Sequence, residues 1–523
     1  MTTEQNTPAN QTNITYPERD IREITKLIES LSGDDLKLIQ KAYNFSLKAH
    51  EGQKRFSGEP YFYHVFETGK ILAELKMGPV AICAGLLHDT MEDAGVTAEA
   101  MEREFGKEIL FLVDGVSKLG KLRYSGADRH IESLRKLFVA MSKDLRVLII
   151  KLCDRLHNMR TLRFVRPEKR KRIAAETLEV YAPLAYRLSM RRLTRELEDL
   201  AFSYVYPEEY NDVKKVLKEK TRLLTLSLEK FSRSVKKALA MESITNISAE
   251  SRIKSYYGLY RKLKRKNMDI SKIYDVAALR VIANDLPDCY RALGVIHGIW
   301  RPLPGRIKDY IAFPKPNGYK SIHTTIFVGD GAIVEVQIRT KQMHIEAEFG
   351  VASHLTYKEG KKTSVGLGLL WITNLLPFIG RKGDATKNSA NNSEIPSWIR
   401  QIADSQIALE TQTEFVENLK TDFFNHRVFV FTPKGDVVDL PINASPIDFA
   451  YAIHSDIGDH ISGAKVNGKL VSLDTPLQNG DIIDIMTRDD SKPNSKWLEF
   501  TKTSFARKKI RDALQNLKNA EMK

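Results

Sequence analysis

From Asp20 to about Leu200, apolar residues return every three to four positions, the period of helices with one buried face. Ser32-Gly33-Asp34-Asp35 opens one such stretch, which runs to Leu47 with an N-cap and an acidic first turn. LRVLIIKLCDRLHNM, Leu145 to Met159, keeps the same period. Residues 20–200 therefore predict an all-α domain, and the charged helical stretch 201–240 reads as a connector. The period then changes. Ile273 to Ala283, Ser321 to Val328 and Ala332 to Thr340 alternate with the period of two expected of half-buried strands. Glu335, Gln337 and Arg339 fall on one face, with Val334, Val336 and Ile338 on the other. Likewise Ser321, His323 and Thr325 oppose Ile322, Thr324 and Ile326. Residues 241–360 thus predict an α+β domain. Residues 361–421 read as a linker or insertion, and 422–487 become compact again. That last stretch holds a hairpin about Thr432-Pro433-Lys434-Gly435-Asp436, a helix led by Ser445-Pro446, an Asn467-Gly468 turn and a returning strand. It predicts a small β-grasp module, followed in 488–523 by a charged helix.

The first concentration of chemistry is HDTMED, His88 to Asp93, at the end of the apolar run Ala81 to Leu87. Helical spacing places His88 with Glu92, and Asp89 with Asp93, one turn apart. His64 lies in a helical stretch, and Asp154 sits inside an apolar helix, where an ionised carboxylate needs a partner or a cation. Two His and two Asp suit a transition metal with positions left open for water. The loop from His50 to Pro60 carries Arg55, which could hold a phosphate, stack on a base or simply be solvated. The second concentration is the polar sheet face. Asp275 and Glu335 stand with His323, Gln337 and Arg339, flanked by Arg252, Lys254, Arg261, Lys262, Arg306, Lys308 and Lys315. Two acids able to hold a divalent cation in a basic field are what phosphoryl-type transfer requires. A solvent-facing sheet with cross-strand ion pairs would give the same pattern. Tyr319, after Pro316-Asn317-Gly318, reads as an aromatic platform on a tight loop.

Composition narrows the partners. Net charge is +15 and 28% of residues are charged, pointing to polyanions, either nucleotides or RNA. The three cysteines, Cys83, Cys153 and Cys289, are widely spaced among apolar residues and read as reduced thiols of a cytoplasmic protein. No signal peptide opens the chain, and residues 1–19 read as a disordered tail. The apolar run Gly366 to Gly380 is too short for a membrane span and is broken by Asn374 and Pro377, so no membrane partner is expected.

Taken together, SGEPYFYH, HDTMED, VDGVSKL, KLCDRLHNMRTL, YDVAALRV, PGRIKDYIAFPKPNGYKSIHTT, EVQIRT and RVFVFTPKGDVVDLP resemble the RelA/SpoT homologue family, enzymes that make and destroy the alarmone (p)ppGpp. The resemblance runs from about Asp20 to Leu514, outside the stretch Gly366 to Ser393. It implies an HD-type hydrolase domain, a nucleotidyltransferase-like synthetase domain with a mixed sheet, and a TGS domain. It implies Mn²⁺ held by His64, His88, Asp89 and Asp154, with Glu92 and Asp93 orienting or activating water. Arg55, Asn158 and Thr161 would contact the guanine nucleotide. In the synthetase domain Asp275 and Glu335 would bind Mg²⁺, with Glu335 the base for the 3′-hydroxyl of GDP or GTP. Arg252, Lys254 and Lys262 would hold ATP. Lys308, Lys315, Asn317, Tyr319, His323, Gln337 and Arg339 would surround the acceptor, with Tyr319 stacked on its guanine. His454 falls where ribosome-associated relatives touch uncharged tRNA. Phe56, Tyr186, Ser251 and Gly258 depart from the common pattern without removing a metal ligand or catalytic acid. The chain extends little past the TGS module, so the zinc-finger-like and ACT-type domains of full-length members are expected to be missing. Both acid sets being intact implies a bifunctional enzyme. The alternatives are one live activity, or an RNA-binding regulator with vestigial catalytic domains.

Overall fold

The computed structural model describes residues 19–29, 31–120, 144–270, 273, 276–315, 318–328, 333–353, 427–435, 437–478 and 480–521. The expected tail 1–19, apart from its last residue, and the expected insertion 361–421 lie outside them.

Helix α1 (Gly33–Ala49) begins at a capping box in which Ser32 Oγ accepts from Asp35 N at 3.1 Å. Helices α2 (Phe62–Glu74) and α3 (Pro79–Leu87) form the centre of the first core, and Ala81 to Leu87 are all buried. These two helices approach closely because glycines meet at their contact. A Cβ on Gly85 would stand 2.3 Å from Leu72 Cδ1, and one on Gly69 would stand 3.0 Å from Leu86. Helices α4 (Thr90–Asp93), α5 (Ala98–Gly120) and α6 (Leu145–Arg160) complete the surround, with α6 packed on α2 and α3. All three cysteines are buried thiols outside any disulfide.

The charged connector is more than a spacer. After α7 (Arg191–Val205), α8 (Pro207–Met241) carries an apolar stripe, Leu228, Phe231, Val235 and Leu239, that enters the core of the sheet domain. The surrounding charge concealed that spacing. The sheet has the order β1-β2-β5-β4-β3, built from β1 (Ser248–Ile253), β2 (Ala277–Ala283), β3 (Lys308–Asp309), β4 (Ile322–Phe327) and β5 (Ile333–Thr340). β2 and β5 run parallel and the other pairs antiparallel, so the sheet is mixed. One face, with Leu279, Val281, Ile322, Ile326, Val334, Val336 and Ile338, is covered by α8 and by α10 (Leu286–Ile299), the helix that follows α9 (Tyr256–Arg265) in the chain. The sequence reading missed β1. Its residues, SAESRI, are polar at an edge, where no apolar alternation is needed.

The other face is polar. Its register draws Glu250, Arg280, Gln337, His323 and Lys308 into one row across all five strands, beside a second row of Arg252, Ala278, Glu335 and Thr325. Helix α11 (Lys341–Phe349) ends at Gly350, where φ is +58° and a Cβ would stand 2.1 Å from Leu188 O. Val351 N donates to that same carbonyl at 3.0 Å, fastening the sheet domain to the helical one.

The third module holds the hairpin β6 (Arg427–Phe431) and β7 (Val437–Pro441), helix α12 (Pro446–Ile453), and a sheet of β8 (Ile461–Val466), β9 (Lys469–Val471) and β10 (Ile483–Thr487) in the order β10-β8-β9. Buried Asp448 joins this module to the last helix, α13 (Ser504–Glu521). It closes the capping box with Ser445 and accepts from Lys502 N, Thr503 N and Thr503 Oγ1. Among the described residues, no helix is long and apolar enough to cross a membrane. The run Gly366 to Gly380 is not among them.

Candidate functional site

The α2–α3 contact places His64 beside His88, and α6 brings in Asp154. Both histidines and Asp154 are buried, at 2%, 1% and 5% exposure. One ligand atom from each lies within 4.8 Å of the others. His64 Nε2 is 3.2 Å from Asp154 Oδ1 and 3.5 Å from Asp89 Oδ2, while His88 Nε2 is 3.2 Å from Asp89 Oδ1. His88 Nε2 is shut from solvent and lacks the alignment for a hydrogen bond to that carboxylate. An aimed, unbonded imidazole nitrogen beside two carboxylates fits a cation with mixed nitrogen and oxygen ligands. The electrostatics agree. Burial disfavours charge on His88, but Asp89 and Asp154 outweigh it and raise its pKa to about 9. Asp154 is held well below the usual carboxylate range, against its burial, by Lys151 and the two histidines. Lys151 Nζ, 2.7 Å from Asp154 Oδ2, is the partner an acid in an apolar helix needs, while Arg155 turns instead to Glu176.

α3 stops at Leu87 and α4 restarts at Thr90; His88 is buried while Glu92 is exposed. Asp89 and Asp93 do stay one turn apart, with Asp93 N donating to Asp89 O at 2.8 Å. Tyr61, which the sequence reading passed over, joins their side chains: its hydroxyl is 2.9 Å from Asp89 Oδ2 and 2.5 Å from Asp93 Oδ2. Its signal was its place three residues before His64. Arg55, Asn158 and Thr161 converge, with Arg55 donating to Asn158 Oδ1 at 2.6 Å and to Thr161 Oγ1 at 3.3 Å. Asn158 Nδ2 in turn donates to Asp154 Oδ1.

On the polar sheet face, His323 Nδ1 is 2.7 Å from Glu335 Oε1, and Tyr319 Oη is 2.8 Å from His323 Nε2. Gln337 Nε2 donates to the same Glu335 oxygen at 3.4 Å, and Arg252 Nη1 donates to Gln337 Oε1. Lys315 lies 4.5 Å from the Tyr310 ring centre. Burial, with Arg191, Lys308 and Lys262 nearby, pushes its pKa down to about 7 despite Glu335. Asp275 and Asn317 lie outside the described residues. Lys254 directly follows β1, and Lys262 is on α9. Arg306 is exposed on the approach to β3.

Tyr319 is not an open platform. It is 2% exposed, and the Arg191 guanidinium, from the start of α7, lies 3.9 Å above its ring. Arg339, 0% exposed, sits deeper, within a cluster of Arg195, Arg252, Arg280 and Arg339 around Glu348, with Glu250 also 3.6 Å from Arg280. Glu348 accepts from Arg195 at 2.9 Å and Arg280 at 3.0 Å, tying α7 to the sheet. Burial opposes its charge, but the arginines prevail and hold its pKa at about 2. A depressed carboxylate contributes stability that is full above its unfolded value and is lost as pH falls towards the folded one. Glu348→Gln is therefore expected to cost about 3–5 kcal/mol at pH 7, by leaving buried guanidiniums short of charge. The penalty should shrink between pH 5 and pH 2. Denaturant melts of both proteins across that range test this, and a gap independent of pH would refute the assignment.

Comparison with known proteins follows the same division. Family models match as an HD domain over residues 42–191, a region found in RelA and SpoT proteins over 251–362, and a TGS domain over 428–487. The chain is 44% identical over 481 residues to a GTP pyrophosphokinase of Myxococcus xanthus, covering 91% of this chain and 60% of that protein. It is 43% identical to a guanosine-3′,5′-bis(diphosphate) 3′-pyrophosphohydrolase of Aquifex aeolicus, covering 91% and 64%. It is 41% identical to the bifunctional (p)ppGpp synthase/hydrolase SpoT of Escherichia coli K12, covering 95% and 67%. The chain thus spans roughly three fifths of the first two relatives and two thirds of the third. With all three domain models matched in order, and this identity along nearly its whole length, the chain belongs to the RelA/SpoT family.

Proposed function

We propose that this chain makes and breaks (p)ppGpp: it transfers pyrophosphate from ATP to the 3′-hydroxyl of GDP or GTP, and it hydrolyses the 3′-pyrophosphate of the product. The observation that carries this reading is the presence of two separate acid–imidazole centres, the buried His64/His88/Asp154 cluster and the His323–Glu335 pair on a basic sheet face. In the first, His64, His88, Asp89 and Asp154 would hold a divalent cation, Mn²⁺ in our reading. Such an ion supplies a hydroxide near neutral pH and neutralises developing phosphate charge. Asp93, positioned through Tyr61, would take a proton from water, with Glu92 at the rim. Arg55, Asn158 and Thr161 would grip the nucleotide.

In the second centre, Glu335 and Asp275 would hold Mg²⁺, with Glu335 also accepting the 3′-hydroxyl proton. His323 fixes one oxygen of that carboxylate. Arg252, Lys254 and Lys262 would take the ATP phosphates. Lys308, Lys315, Asn317, His323, Gln337 and Arg339 would border the acceptor around Tyr319. His454, at the end of α12, is our candidate for contact with uncharged tRNA on the ribosome. Incubating the chain with ATP, GDP and Mg²⁺, and separately with ppGpp and Mn²⁺, tests the whole reading. Chromatography should show a 3′-pyrophosphorylated product in the first case and GDP with pyrophosphate in the second. Absence of either reduces the chain to one activity, and absence of both refutes the proposal.

The Arg191–Tyr319 contact leads to a further expectation. With Arg191 over the ring, an acceptor base cannot stack there, so the two domains would have to shift for synthesis. Ligands that favour opposite arrangements oppose each other's binding reciprocally. Calorimetric titration of ppGpp into Asp89→Asn should therefore give weaker binding when GDP and a non-hydrolysable ATP analogue are present. Arg191→Ala should remove most of that difference. Identical affinities with and without nucleotide in the unmodified interface would mean that the domains act independently.

A further inference from the structure

His157 belongs to neither set of residues read from the sequence, yet it stands between them. It lies on α6, is 8% exposed, and presents Nδ1 to two neighbours. That nitrogen is 2.7 Å from Nδ1 of His64 and 3.3 Å from Nη1 of Arg55. A guanidinium has donors and no acceptor, so His157 Nδ1 must offer Arg55 a lone pair. The short contact between the two imidazoles needs one proton, which must then sit on Nδ1 of His64. A neutral His64 protonated there carries its lone pair on Nε2. Nε2 is the atom that faces Asp154 and Asp89 at 3.2 and 3.5 Å. On binding a cation, His88 would take the same tautomer by a different route, since its Nδ1–H donates to Gly85 O at 2.8 Å. Arg55 thus connects to the cluster twice, through His157 to His64 and through Asn158 to Asp154.

We infer that His157 is a positioning residue that fixes His64 as an Nε2 donor to a divalent cation and locks it to the loop carrying Arg55. The inference rests on reading His64, His88, Asp89 and Asp154 as a cation site. What His157 supplies is one in-plane acceptor at the δ position. Asparagine can replace that acceptor, because its carbonyl oxygen stands near the place of Nδ1, whereas leucine fills the space without one.

The test is a titration of the full chain with Mn²⁺ alone, free ion being followed by electron paramagnetic resonance. Binding lost in His88→Ala defines the site and subtracts any ion held elsewhere. His157→Leu is expected to bind about 10–100-fold more weakly, the usual consequence of losing the group that orients a metal-binding histidine. His157→Asn should stay within about threefold of the parent. ATP-dependent synthesis, which depends on the other domain, should survive in both and reports that the chain is folded. Parental affinity in the leucine variant overturns the inference, as does an asparagine variant as weak as leucine. If the leucine variant also loses synthesis, His157→Gln decides. Its carbonyl stands one bond too far, so weaker binding than in the asparagine variant supports the inference and equal binding overturns it. A parent chain with no binding sensitive to His88→Ala would overturn the cation site itself, a separate outcome.

Discussion

Asp89→Ala and His88→Ala are each expected to reduce (p)ppGpp breakdown at least about a hundredfold while leaving synthesis largely intact. The size follows from the geometry. Nε2 of His88 is buried, unbonded and aimed at the other ligands, so its removal deletes a donor that no neighbour can replace. Asp89 lies 3.2 Å from His88 and 3.5 Å from His64, and its loss takes away half of the carboxylate charge that draws a cation there. Tyr61 would also lose one of its two partners, loosening Asp93. Selectivity follows from distance along the fold, since neither residue reaches the sheet. Breakdown and synthesis are to be measured on the same preparation. Undiminished breakdown in either variant would sink the metal assignment, and parallel loss of both activities would point to unfolding.

Glu335→Gln is expected to have the opposite selectivity, lowering synthesis by roughly 10²–10⁴-fold, the range for loss of a positioned general base. The substitution is chosen because it preserves the surroundings. A glutamine carbonyl can still accept from His323 Nδ1 and Gln337 Nε2, which both act on Oε1, so the sheet row should keep its register. What disappears is the negative charge needed to accept a proton and hold Mg²⁺ within a field of Arg252, Lys308 and Lys315. The loss should appear mainly in kcat, because the groups proposed to grip the nucleotides remain. Retention of more than a few per cent of synthesis would remove Glu335 from that role.

The linear sequence determined a good deal of this. The hydrophobic period separated a helical domain from a sheet domain and a small β module, because each element's buried face leaves its own spacing in the chain. Alternation along Ile333–Thr340 was enough to put Glu335, Gln337 and Arg339 on one side of the sheet. His64, His88 and Asp154 were recognisable as chemically odd residues in apolar helices, where burial makes polar groups costly unless they have a use.

Other features depended on long-range contacts that no local window contains. The polar edge strand Ser248–Ile253 shows no alternation, since an edge need not bury a side-chain face. The stripe in Pro207–Met241 became core only because a sheet lies against it. Local spacing treats His88 and Glu92 alike, but packing buries the first and leaves the second exposed. Tyr319 reads as an exposed ring until Arg191, far away in sequence, covers it. His157 looks like an ordinary helix histidine until His64 and Arg55 meet at one of its nitrogens. Period and composition specify which side chains will be buried or paired, but the partner is chosen by packing. Here the glycine contact between Gly69 and Gly85 sets how closely two helices approach, and so which atoms come within reach of one cation.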